Sequence, residues 1–269
     1  MKQKFNFLDV IMGILIVVLG APWVTWATGP RLTPQLFEPE ATIKIFFYEY
    51  PPLTTFEMTN MGICSEIIQE AFTAAGVTVT LENQVVKPLA VYSLIQENAA
   101  AMIGMQSDFS EDELKQLVFM PCYTMRGRFF YYKPNHKKEL QWYGKLDNLE
   151  GYTYGALVGE DLTIYKKAGI KTLTVTGDLP ALFSNLQDGK IDFLSMADIR
   201  GEWFLQKYFP DEKDDFGKME ALSWEAPFSI VFNKKHPRFK EISTAFSKGS
   251  QKVKQNGRYD EIIKKHQKS

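Results

Sequence analysis

Cysteine and histidine are scarce. Cys64 and Cys122 are the only cysteines in 269 residues, and His136, His236 and His266 stand far apart. No zinc-ligand spacing can be assembled from them, which argues against zinc modules and His-rich metalloenzymes. An excess of charge of one sign is missing too. Thirty-one Lys+Arg stand against 32 Asp+Glu, a net charge of −1, without the basic surplus that nucleic-acid binding needs. The chain also lacks tandem repeats, low-complexity tracts, a G-x-S-x-G elbow, a phosphate-binding Walker loop and a dinucleotide fingerprint. No cofactor and no metal are therefore expected. What remains is ordinary globular material, 45% hydrophobic, 14% aromatic and 23% charged, long enough for one large domain or two small ones.

The first residues differ from the rest. Lys2 and Lys4 open the chain, Asp9 follows, and residues 10–30 carry no charge. Ile11 through Leu19 form an apolar run of signal-peptide length, and Thr25-Trp26-Ala27 offers small residues for cleavage after Ala27. Residues 1–27 are read as a signal peptide, with an uncleaved membrane anchor as the alternative. Either reading implies export. No cysteine lies near the cleavage point to take a lipid, so the expected location is a periplasm. Oxidation is possible there; Cys64 and Cys122 are read as two buried thiols, with a disulfide as the alternative. Residues 28–40, with three prolines and no periodicity, read as a tether.

From Ile43 onward, strand and helix patterns alternate in two consecutive series. Ile43–Tyr48 is β-rich, a helix follows from about Ser65, Val77–Leu81 alternates as a strand, residues 89–97 read as helix, and Ala101–Met105 reads as a buried strand. Ser110 and Glu113 form a capping box for a short helix ending before Phe119. Arg128–Tyr132 is a strand. The second series has strands at 152–157, 171–176 and 191–196, with helices at about 161–168, 178–188 and 199–208. Asp178 is the expected N-cap of the middle helix. Phe228–Phe232 is a further strand, and two helices split at Asn256-Gly257 finish the chain. Such alternation predicts an α/β protein with two mainly parallel sheets, binding its ligand beyond the carboxyl ends of the strands.

The order of motifs resembles the family 3 extracellular solute-binding proteins. Tyr50-Pro51-Pro52 is similar to that family's first loop, and Gly62-Ile63-Cys64-Ser65-Glu66-Ile67 to its Gly-Phe-x-x-Asp-Leu helix start. The segment Glu113 to Tyr123 resembles its Glu-Arg-…-Phe-Ser-x-Pro-Tyr. Leu149-Glu150-Gly151, Gly189-Lys190-Ile191-Asp192 and Asn256 to Ile262 resemble further signposts. The resemblance implies a two-lobed, type II periplasmic-binding-protein-like α/β fold, each lobe a mainly parallel sheet flanked by helices, joined by a two-strand hinge. Residues 41–125 and 228–266 would form lobe 1 and residues 126–227 lobe 2. It also implies capture of a small polar solute between the lobes, an inner-membrane ABC permease as partner, a monomer, and no catalysis. Leu114 stands where the family carries the Arg that clamps the ligand carboxylate, and Ala197, not Asp198, occupies the spacing of the ligand-amine Asp. The site is therefore expected to be unlike that of an ordinary amino-acid receptor.

Candidate ligand residues are Tyr48, Tyr50 and Tyr123, each a flat apolar face with a polar tip, and Ser107 at the end of a first-lobe strand. Arg126 and Arg128 share one strand face and are candidate replacements for the cation missing at Leu114. Asp161 is either a ligand contact at a helix start or that helix's own cap, and Asp198 either takes a ligand cation or caps the next helix. Two rival functions stay open: a periplasmic cyclohexadienyl- or arogenate-type dehydratase on the same fold, and a non-transport sensing or protein-docking module.

Overall fold

A computed structural model describes residues 42–84, 86–96 and 98–267. The signal-peptide and tether readings, 1–27 and 28–40, lie outside the described residues. Strand β1 (Ile43–Phe47) leads to α1 (Ile63–Ala74), β2 (Val79–Asn83), α2 (Lys87–Ile95), β3 (Ala101–Gly104) and the single-turn α3 (Glu111–Leu114). The long β4 (Leu117–Tyr132) then opens a second series: β5 (Thr153–Leu157), α4 (Thr163–Lys167), β6 (Lys171–Val175), α5 (Leu179–Gln187), β7 (Phe193–Ala197) and α6 (Asp198–Tyr208). Next come β8 (Phe216–Lys218), β9 (Trp224–Asn233), α7 (Phe239–Gln255) and α8 (Arg258–Gln267). No helix among the described residues is long and apolar enough to cross a membrane.

The strands run in the order β2-β1-β3-β9-β4-β7-β5-β6, with β8 on β4. Two parallel sets are present, β2-β1-β3 and β7-β5-β6, as alternating strand and helix patterns require. They are not separate sheets. The antiparallel pair β4–β9, matched from Leu117↔Asn233 to Gly127↔Trp224, joins them into one hydrogen-bonded path.

Much of β4 is a correction to the sequence reading, which places helix up to residue 118 and a strand only from Arg128. The proline at 121 argues for a break, because it has no N–H for the ladder. Here the register between β4 and β9 shifts between Pro121 and Tyr123, so the strand passes through an irregularity and continues. The helix expected over 89–97 begins at Lys87, with Pro88 tolerated in its first turn, and ends at Ile95. Local caps follow the sequence closely. The Ser110 N–H donates to Glu113 at 2.7 Å and the Glu113 N–H returns to Ser110 at 3.4 Å, while the Ala181 N–H donates to the Asp178 carboxylate at 3.1 Å.

Burial divides the molecule by cores. One core gathers Phe47, Ile63, Phe72, Ile103, Phe228, Phe232 and Phe246, drawn mainly from residues 43–125 and from the segment after Ala226, with Ala197 of β7 joining it. The other described residues build two cores on opposite faces of their strands. Phe130 and Leu194 point one way, to Phe183 and Phe216; Phe129 and Phe193 point the other, to Trp142 and Tyr154. That split is the two-residue period of a strand. The halves are called here the first and second lobes.

Gly62 fixes the entry into α1. Its φ is +95°, and a Cβ there would lie 2.7 Å from the Leu53 oxygen and 2.8 Å from the Pro52 oxygen. Those two carbonyls accept the Cys64 and Ile63 N–H groups at 2.8 and 3.0 Å, satisfying helix-start donors that would otherwise be unpaired. Gly62→Ala is expected to destabilise the protein by roughly 2–3 kcal/mol, through strain and displacement of the 50–53 loop. A thermal melt should register a fall of roughly 4–10 °C. An unchanged midpoint would show that the loop yields freely.

Candidate functional site

The loop after β1 carries the central aromatic. Tyr50 to Thr54 is a tight turn in which the Tyr50 N–H donates to Thr54 O at 2.8 Å and the Leu53 N–H to Tyr50 O at 2.9 Å. Two prolines and this turn hold the half-buried Tyr50 ring against Phe228 of β9, centroids 5.2 Å apart in a stacked pair. On this ring lies Arg200 of α6, from the second lobe, its guanidinium carbon 3.9 Å from the ring centre. The Arg200 Nε is buried and has no hydrogen-bond partner among the described residues. A second contact between the lobes, an ion pair from Lys207 to Glu57, lies at the other end of α6.

The remaining candidates are placed differently. Tyr48 is 5% exposed and its hydroxyl donates to Asp108 at 2.6 Å, so its polar tip is already committed. Burial, then the Asp108 charge, pushes its phenol well above the ordinary value. Ser107 is exposed in a short 3-10 turn, and its neighbour Asp108 is the structured residue there. The Asp108 carboxylate accepts the Met105 N–H at 2.8 Å and pairs with Lys87 at 3.0 Å. An internal carboxylate thus stands beside the Ser107 candidate.

Arg126 and Arg128 do lie on one face of β4, each beside an acidic residue. Arg126 is exposed beside Glu225 at 3.6 Å. Arg128 donates to Asp198 at 2.8 Å and to the carbonyls of Met219 and Glu220. Asp198 also meets Lys218 at 3.0 Å, so its charge is balanced inside the protein. Burial lowers the Lys218 pKa, but Glu202 and Asp198 outweigh it and leave the ammonium above its ordinary value. Leu114 packs against the first core, which gives its isobutyl group a structural role.

Asp161 closes a turn just before α4, whose N-cap is Leu162 with no side-chain cap bond. It is exposed and accepts the Thr163 N–H at 2.9 Å, while Glu160 accepts the Leu157 N–H at the same distance. Hydrogen bonds from the Thr163 hydroxyl and amide hold the Asp161 carboxyl below its usual value. Two donors that an anion would need are therefore taken by the chain's own carboxylates. Tyr123, Arg126 and Asp198 come together in another place, a pocket of about 450 Å³ that Thr124, Glu202 and Tyr259 help to line. Its size suits a small molecule. Burial raises the Tyr123 phenol and pushes Tyr259 up to about 12. Among the described residues no group of three or more His, Cys, Asp or Glu is arranged to hold a metal.

The sequence reading missed Arg200. It stands two residues after Asp198, on the helix that follows β7, away from the strand that carries Arg126 and Arg128. Its use depends on which face of α6 meets the other lobe.

No protein-family model and no curated protein sequence matches the chain. Solved structures do resemble it. Substrate binding domain 2 of Lactococcus lactis GlnP, in an open conformation, superposes with a TM-score of 0.62 at 18% identity, over 85% of this chain and 96% of that one. The GluR0 ligand-binding core of Nostoc punctiforme, in complex with L-glutamate, gives 0.58 at 15%, over 83% and 98%. A histidine kinase sensor domain with similarity to periplasmic binding proteins gives 0.62 at 17%, over 84% and 95%. The fold is thus the two-lobed α/β fold of periplasmic binding proteins.

Proposed function

We propose that this protein captures a small polar solute bearing a carboxylate between its two lobes and does not transform it. The observation that carries the reading is the Arg200 guanidinium. Its carbon lies 3.9 Å from the ring centre of Tyr50 of the opposite lobe, and its buried Nε has no hydrogen-bond partner among the described residues. A planar guanidinium is the side chain best suited to a carboxylate, because it makes two parallel charge-assisted bonds. It supplies, from the second lobe, the positive charge that Leu114 does not supply from the first. Asp198 is already balanced by Arg128 and Lys218, so an α-amino group is not required of the ligand.

Delivery to a membrane importer of the ABC type, from a periplasm, is the physiological setting proposed. The charge-free run of residues 10–30 and the substrate-binding domains among the similar structures support it. The sensor domain among those structures favours a second reading, in which the same capture is a signal.

Calorimetry against the twenty amino acids, and against organic acids of equal size without the amine, tests the reading. At least one carboxylate is expected to bind, and saturation with it should reduce the radius of gyration in solution scattering, as hinge closure about β4 and β9 requires. Turnover of prephenate or arogenate would instead establish the dehydratase. Binding confined to cations would refute the role given to Arg200.

A further inference from the structure

Charge is divided unequally along the chain. Residues 234–269 hold eleven Lys and Arg against three Asp and Glu, a net +8, so the residues before them carry −9 of the total of −1. Most of this positive segment is α7 and α8. Part of it is answered inside the protein. Arg238 pairs with Glu241 at 2.6 Å, Arg258 with Glu70 at 3.0 Å, and Lys265 with Glu66 at 2.9 Å. Lys240, Lys248 and Lys252 of α7 are exposed and stand in no ion pair among the described residues.

These lysines share a face. Lys240, Thr244, Lys248, Gln251 and Lys252 line a concavity of about 600 Å³, with Ala75 at the end of α1 beside them. They recur at the step of one helix face, and Lys240 and Lys252 lie roughly 18 Å apart along the axis. The one acid in the lining, Glu241, is the partner of Arg238. The opposite face of α7 is fixed. Ile242, Phe246, Gly249 and Val253 are buried, and the Phe246 ring lies 5.6 Å from that of Phe72 in α1. A Cβ on Gly249 would fall 1.7 Å from the Ala71 oxygen, so the two helices meet backbone to backbone. The lysine row is therefore a rigid outer edge of the first lobe, with the Lys252 ammonium donating to Ala74 O at 3.0 Å.

We propose that this face of α7 seats the first lobe on an anionic lipid bilayer, its lysines against the headgroup phosphates. Charge complementarity calls for a polyanion. A protein partner fits poorly, because lysine is depleted at protein interfaces and the face offers no aromatic anchor. The course of the chain favours a membrane. Ile43, where β1 begins, pairs with Val79, four residues beyond Ala75, so the chain enters the fold at the Lys252 end of the row. Residues 31–42 are all that separate that entry from the charge-free run 10–30, and twelve residues reach at most about 40 Å. A bilayer that takes up the run therefore lies within reach of the lysines.

The test measures partition of the full chain onto vesicles of phosphatidylglycerol mixed with phosphatidylcholine, and onto vesicles of phosphatidylcholine alone. The anionic vesicles should bind at least about tenfold more tightly, and the difference should vanish in concentrated salt, which screens surface charge. Each lysine near such a surface contributes about fivefold, so Lys240→Gln, Lys248→Gln and Lys252→Gln together should weaken binding roughly 100-fold. The corresponding Lys→Arg triple keeps the charge and should bind as the native protein does. Equal partition onto the two kinds of vesicle, insensitivity to salt, or unchanged affinity of the Gln triple would each overturn the proposal. So would a dimer that the Gln triple abolishes, which would assign the face to a second copy of the chain. Should the triple fold poorly, Lys240→Gln with Lys248→Gln decides, since neither side chain bonds to the described residues. That pair should lose roughly 25-fold, and an unchanged affinity overturns the proposal equally.

Discussion

Arg200→Ala is expected to weaken carboxylate binding by roughly 10- to 100-fold, the loss of one or two charge-assisted hydrogen bonds of about 1.5–3 kcal/mol. The fold should hardly notice. The Arg200 Nε bonds to none of the described residues, and its stack on Tyr50 contributes at most about 2 kcal/mol. Arg200→Lys separates charge from shape. It retains the cation but loses the planar fork, and should bind with intermediate affinity. Titration calorimetry with the best-binding carboxylate found for the native protein reads all three. Affinities within twofold of one another would place the anion elsewhere, with the 450 Å³ pocket beside Arg126 as the next position to probe.

A loss of stability is expected from Glu66→Ala. Glu66 lies in the first turn of α1 with a side chain only 4% exposed, facing Arg258, Lys265 and His266 of α8. His266 Nε2 is 2.7 Å away, Lys265 2.9 Å and Arg258 3.5 Å. Removing one partner from such a cluster leaves the others uncompensated, and about 3 kcal/mol is expected, a fall of roughly 6–12 °C in the melting midpoint.

The pH dependence of this contribution has a definite sign. Burial alone would raise the Glu66 pKa. Hydrogen bonds from Lys265, Asn60 and His266, with the Lys265 charge, outweigh it and set the folded value below the ordinary 4.5. A carboxylate whose folded pKa is depressed stabilises the protein fully above its unfolded value and ceases to do so as pH falls through the folded one. The stability gap between the native protein and Glu66→Gln should therefore be constant near neutrality and shrink only below pH 4.5. Urea unfolding from pH 7 to pH 3 would measure it. A gap that shrinks instead between pH 7 and 5 would assign the effect to a group other than Glu66.

Features made by neighbours in sequence were legible in the sequence. The capping box at Ser110 and Glu113, the Asp178 cap, the buried stripe of α1 and the break at Gly257 each involve residues a few positions apart. The alternation of strands and helices, and with it the fold class, follows from the same short-range periodicities. The Asp161 turn is equally local, since an Asp reaches an amide two residues on without help from the rest of the chain.

What only the tertiary structure decided are the partners brought from far along the chain. The continuity of β4 through Pro121 depends on how β9 accommodates a register shift. The loss of Tyr48 and Arg128 as free ligand groups depends on Asp108 and Asp198 reaching them first. Arg200 matters because α6 turns that residue onto Tyr50 of the other lobe. Residue type determines what a side chain can bind. Which partner it meets is set by long-range packing, because a charge buried by folding must find its counterpart among whatever the strands and helices bring within about 3 Å.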